Sequence, residues 1–318
     1  MGCIKDHDQA NFWQSLFIDL KKAVLADKIA CPESEYHTTE AMFDTRLEAP
    51  IRSVLDELSY GLKFHTLKNI LELQIEEAAL RFLNKTPIPK EPWTKAFTAN
   101  PNVPIKMILE RLQENSEKYS FLPMPELEIY WNRLLKNQWV MEEEALKSSV
   151  SLDRKELTTK SKSFPCNWND FLLAERLSLI NSVFGLKQKM YPGDFYYFSR
   201  IWKKLESVGI KISDTQTALN FLKSDHIMRM PFFDICCSIH AAINMHYPRR
   251  NPQGSDLYDV TRLAITIPYC HLNTTDSFMK EILTKRLRLD EKYNTNIFSA
   301  TNQDCLSFQK RVKELINS

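Results

Sequence analysis

Glycine sets the tightest limit on what this chain can fold into. There are 6 in 318 residues, at Gly2, Gly61, Gly185, Gly193, Gly209 and Gly254, where average usage of about 7% would supply roughly 22. A GxGxxG dinucleotide fingerprint or a P-loop needs several glycines within about ten residues, and only Gly185 and Gly193 share such a window, at a spacing that fits neither motif. Tight hairpins draw on glycine for positive φ, so sandwiches, barrels and propellers are disfavoured. A helix-dominated chain is expected, with 43% hydrophobic residues to build its core.

Net charge is +2, so no global field marks the chain for nucleic acid or membrane, and any such surface must be local. Seven cysteines (Cys3, Cys31, Cys166, Cys236, Cys237, Cys270, Cys305) form an odd set without a CxxC pair, and no apolar run reaches the length of a membrane span, roughly 18 residues. The expectation is a reducing, cytoplasmic location with no membrane partner. Met1-Gly2-Cys3 resembles an acylation start, but Asp6 stands where that pattern requires Ser or Thr.

Hydrophobic periodicity predicts helices over Asn11 to Ala26 (capped by Asp8), Glu35 to Tyr60 (closed by Gly61) and Leu67 to Leu83. Between the first two, Lys28-Ile29-Ala30-Cys31-Pro32 reads as a short buried strand ended by Pro32. Five prolines between Thr86 and Pro104 exclude regular structure there. Further helices are read at Ile105 to Asn115 and Leu127 to Leu146, then, after a polar stretch from Lys147 to Ser163, at Trp168 to Phe184, Phe195 to Val208 and Thr215 to Leu222. The last third carries a helix from Ile227 to Met245, a loop from Tyr247 to Gly254, and a helix capped by Ser255 and ended by Pro268. A strand over Tyr269 to Thr274, a helix over Ser277 to Arg286, a strand over Thr295 to Ser299 and a closing helix over Gln303 to Ile316 complete it. Alternating strands and helices predict a parallel sheet.

Several carboxylates fall where open α/β sheets build sites, beyond a strand or at the start of the helix that follows. Glu40 follows the first strand, Asp256 and Asp259 lie one turn apart at a helix start, and Asp276 directly follows a strand. Such oxygens suit Mg²⁺ or Mn²⁺. An acidic first turn also stabilises the helix dipole by about 0.3–1 kcal/mol on its own, so each position by itself fits capping as well as ligation.

Together these segments resemble a PIN-like nuclease domain. The resemblance is carried by the run from Asp256-Leu-Tyr-Asp259 through Pro268-Tyr269-Cys270-His271 to Asp276, and by Lys28-Ile-Ala-Cys-Pro32 followed by His37 and Glu40. Pro231-Phe232 and Ile297-Phe298-Ser299 are similar to large bacterial PIN-like proteins with a helical insertion. It covers about Asp8 to Leu83 and Ile227 to Ile316. It implies an α/β fold with a small parallel sheet surrounded by helices, divided into residues 1–86 and 226–318 as the two parts of the domain and 87–225 as a mainly helical insertion. It further implies a Mg²⁺- or Mn²⁺-dependent endoribonuclease, toxin-like or defence-associated, with Glu40, Asp259 and Asp276 as catalytic metal ligands and Asp256 as a fourth or supporting carboxylate. RNA is the implied substrate, DNA the variant, and a protein partner or antitoxin the implied associate. Family members also carry a first-strand Asp; here only Met1 to His7 precede the first helix, with Asp6 and Asp8 as candidates by composition. The alternative is therefore a PIN-like interaction module with an incomplete metal set.

Other chemistry is weaker on residue grounds. His37 and Glu40 at i and i+3 could share one ion, but no second pair of matching spacing accompanies them. Cys236 and Cys237 diverge by about 100° on a helix, and Cys270-His271 would face opposite sides of a strand. Arg249, Arg250 and Lys280, close in sequence to the acidic positions, are the candidate nucleic-acid contacts, with Tyr247, Tyr258 or Tyr269 available for stacking.

Overall fold

The computed structural model describes residues 10–37, 45–85, 96–98, 167–184, 192–211, 213–248, 250 and 254–317. In chain order the helices α1 (Ala10–Leu25), α2 (Thr45–Ser59), α3 (Leu67–Phe82), α4 (Trp168–Val183), α5 (Pro192–Val208), α6 (Thr215–Leu222), α7 (Asp225–Met228), α8 (Pro231–His246) and α9 (Gly254–Thr266) precede strand β1 (Leu272–Thr275). Helix α10 (Ser277–Glu281), a π-helical turn (Ile282–Arg286), α11 (Leu289–Lys292), strand β2 (Asn296–Ser299) and α12 (Asn302–Asn317) follow. The described chain is thus mostly helical with one two-stranded parallel sheet. The helices expected at Ile105 to Asn115 and Leu127 to Leu146 lie outside the described residues. No described helix is long and apolar enough to cross a membrane.

Two compact units are present. The first takes Met1–Thr66, Pro92–Ala145 and Phe298–Ser318. In it α1 packs against α2 and α12, burying Leu16, Ala23 and Val24 of α1, and Cys305 and Val312 of α12. Polar groups fix the register. Gln309 Nε2 donates to Ser15 Oγ (3.0 Å) and Asp19 Oδ2 (2.8 Å), and Lys21 pairs with Glu57 at 2.6 Å. The strand expected at Lys28 to Pro32 does not form. Pro32 has no N–H to give a ladder, and pairing is confined to a parallel bridge one residue later, Glu33 with Lys63, where Glu33 N donates to Leu62 O and Phe64 N to Glu33 O. The single helix expected from Glu35 to Tyr60 is represented by a helical turn at residues 35–37 and by α2, which ends at Ser59, with Tyr60 and Gly61 following at positive φ (+48° and +74°).

The second unit takes Leu67–Glu91 and Leu146–Ile297. Its centre is α8, opened by Pro231 at the first helical position, where the absent N–H costs nothing. Phe233, Ile235, Ile239, Ala241 and Ala242 are wholly buried, with α3, α4, α7, α9 and the π turn packed around them. A helix apolar on nearly every face belongs at such a centre. Its polar groups are matched. Buried Gln74 of α3 accepts from Phe232 N and donates to Tyr269 Oη, both at 3.0 Å. Buried Asp234 accepts from Lys292 Nζ at 2.6 Å and Tyr293 Oη at 2.8 Å.

β1 and β2 run parallel, so the chain must cross over between them, and α10, the π turn and α11 are that crossover. Asn273 Nδ2 donates to Thr295 Oγ1 (2.8 Å), and Thr295 Oγ1 to Cys270 O (2.7 Å), tying the strand starts together. The helix expected over Ser277 to Arg286 is α-helical only to Glu281 and then widens, with Leu287 N donating five residues back to Ile282 O.

Candidate functional site

The acidic positions of the last third come together where α9 and α10 begin. After α8, the chain turns back through Tyr247 to Arg250, closed by Arg250 N donating to Tyr247 O at 2.9 Å. Arg250 then reaches Asp256 in the first turn of α9, 9% exposed, with both prongs of its guanidinium: Nη1 to Oδ2 at 2.5 Å and Nη2 to Oδ1 at 2.8 Å. This is the bidentate geometry that only arginine offers a carboxylate. The same guanidinium lies over the Phe278 ring at 4.0 Å. Tyr247 meets that ring edge to face at 5.0 Å and donates through Oη to Glu281 Oε1 at 3.2 Å.

One turn beyond Asp256, the half-buried Asp259 accepts from Arg262 Nη2 at 3.1 Å. Burial raises its carboxyl above the usual carboxylate range. Arg262 opposes that rise, and the negative charges of Asp276 and Asp256 add to it. Asp276, exposed, is the N-cap of α10, its Oδ1 accepting from Met279 N at 2.7 Å. Beside it, among the described residues, the buried Thr275 Oγ1 has no hydrogen-bond partner, and neither has Arg262 Nε.

Asp256 and Asp276 are thus each near enough for their charge to act on Asp259, and Lys280 lies on the helix that Asp276 caps. Glu40 and Arg249 lie outside the described residues. Among the described residues no three His, Cys, Asp or Glu side chains form a group that could hold a metal ion. The donor chemistry still fits a hard divalent cation. Carboxylate oxygens are its preferred ligands, and a bound cation would offset the burial that chiefly raises the Asp259 carboxyl and the negative charges that add to it.

The other candidates are accounted for locally. His37 Nδ1 accepts from Ser34 N at 3.3 Å and His37 N donates to Ser34 Oγ at 3.4 Å, a turn closing on itself. Cys236 and Cys237 are buried in α8, and burial pushes both thiols well up. The part played by Phe278 was missed by sequence reasoning. Its only sequence signal is the Phe278 and Glu281 pair at i and i+3, which puts both on the side of α10 that meets Tyr247 and Arg250. No family model, curated protein or solved structure matches the chain.

Proposed function

We propose that this protein is a PIN-like, Mg²⁺- or Mn²⁺-dependent phosphodiesterase that cleaves RNA, with DNA as the variant substrate. One observation carries the reading: Asp259, one turn inside α9, lies near enough to Asp276, the N-cap of α10 beyond β1, for the charge of Asp276 to add to the rise of the Asp259 carboxyl that burial begins. Neighbouring carboxylates, one of them just beyond a strand end, are the oxygen ligands a hard divalent cation prefers. In this reading Asp259 and Asp276 hold the ion, and Asp256 supports them from the preceding turn. The ion would polarise the phosphodiester and lower the pKa of the attacking water. Arg249 and Lys280 supply positive charge for flanking phosphates. A protein partner or antitoxin would fit a toxin-like or defence-associated role.

A second reading, a PIN-like interaction module that does not cleave, is favoured by the ion pairs. Arg250 and Arg262 already neutralise Asp256 and Asp259. Incubating RNA and DNA with the protein and Mn²⁺, for wild type and Asp276→Asn, separates the two. Cleavage by wild type that Asp276→Asn abolishes supports the nuclease. Equal cleavage by both assigns the signal to a contaminant and sinks it, and RNA binding without cleavage by either selects the module.

A further inference from the structure

Arg250 makes two contacts that belong to two different acid-bearing helices. Its guanidinium edge is forked onto Asp256, one turn before Asp259 in α9. Its Cζ lies over the Phe278 ring, 4.0 Å from the ring centre, two residues after Asp276 in α10. Tyr247, hydrogen-bonded to Arg250 through the backbone, braces the same helix at two places a turn apart, the Phe278 ring and the Glu281 carboxylate. The turn from Tyr247 to Arg250 is thus a bracket with one arm on each helix start, and Asp259 and Asp276 sit on the pieces it joins.

We propose that Arg250 is a positioning residue that sets the separation of Asp259 and Asp276, and is not itself a phosphate contact. The inference rests on the nuclease reading for the use made of that separation, but the bracket stands on geometry alone. Planarity matters here as much as charge. A guanidinium can offer two parallel donors along one edge and a flat face to a ring, whereas an ammonium offers a point charge and cannot do both. In this role Asp256 serves to aim Arg250, which differs from service as a metal ligand.

Arg250→Lys keeps the charge and removes the fork and the flat face, and Phe278→Leu loosens the bracket from the other arm while leaving Arg250 and Asp256 in place. Two readouts are taken on the full chain. The first, in EDTA, is hydrogen exchange at the Met279 amide, whose bond to Asp276 reports how firmly the start of α10 is held. Both variants are expected to speed that exchange about tenfold or more while the Leu263 amide inside α9 is unchanged. The second is Mn²⁺ affinity with RNA cleavage kinetics. Arg250→Lys is expected to weaken Mn²⁺ binding and lower kcat by about 10- to 100-fold, the scale of losses at groups that orient metal ligands, with KM for RNA unmoved. Unchanged Met279 exchange in both variants overturns the bracket whatever the cleavage result. A raised KM with kcat preserved also overturns it, since that is the signature of a phosphate contact. If Met279 exchange quickens but wild type neither binds Mn²⁺ nor cleaves RNA, the bracket stands and the nuclease reading falls.

Discussion

Asp276 is asked to do two jobs, and they can be separated by substitution. As N-cap of α10 it satisfies the amide of Met279, the third residue of the helix, at 2.7 Å, a bond that any oxygen of similar reach can accept. Asp276→Ala removes the acceptor and is expected to cost about 1 kcal/mol, within a range of about 0.5–2 for such caps. For a cooperative unit of about 150–250 residues, 1 kcal/mol corresponds to a fall in Tm of about 2–4 °C. Asp276→Asn keeps an amide oxygen in the same place, and asparagine caps as well as aspartate. It gives up the favourable charge at the helix start, about 0.3–1 kcal/mol, but it also removes a negative charge that opposes ionisation of Asp259. These two changes oppose each other, so Tm should stay within about 1 °C of wild type. Calorimetric melts in EDTA test this without any metal contribution. The reasoning fails if Asp276→Ala melts with wild type, or if Asp276→Asn falls as far as Asp276→Ala. With the cap accounted for, loss of Mn²⁺-dependent cleavage in Asp276→Asn is a loss of ligand and not of fold.

Other outcomes follow from the same contacts. Burial holds the folded-state carboxyl of Asp259 above the ordinary aspartate range, so its contribution to stability is full below the unfolded pKa and is lost as pH rises through the raised one. Asp259→Asn should therefore melt higher than wild type at pH 7 in EDTA, with the gap closing as pH falls towards about 4; a gap that is absent or reversed at pH 7 would mean that Arg262 outweighs burial. Ile239, wholly buried in α8, should lose about 2–5 kcal/mol on truncation to Ala and about 0.5–1.5 on shortening to Val, read as a shift in urea midpoint. A smaller loss for Ile239→Ala than for Ile239→Val would show that the surroundings of α8 are not packed as described.

Legibility in the sequence followed the range of the interaction. Helices with one continuous apolar stripe were placed within a residue or so: Leu67–Phe82, Trp168–Val183 and Thr215–Leu222 agree with their periodicity. Ends decided by a few hydrogen bonds were less readable. Before β1, Tyr269 N and Cys270 N both donate back to Thr266 O, so the chain is still leaving a helix where the apolar run suggested a strand. Helix α9 starts at Gly254, two residues ahead of the first helical position expected from Ser255 as cap. The π turn leaves the apolar pattern almost unchanged, because Ile282 and Leu283 are buried in either helix form. The helix starts that carry Asp256 and Asp276 were legible because first turns and caps are local features. The contact of Arg250 with Phe278, 28 residues away in sequence, was not, because nothing local to either residue names the other.

The most direct measurement is the anomalous scattering of Mn²⁺ in crystals of the full chain. A single strong peak with Asp259 and Asp276 carboxylate oxygens within about 2.0–2.3 Å is the result the account predicts. Saturating Mn²⁺ with no peak between these two carboxylates, or a peak held elsewhere in the chain, would contradict it.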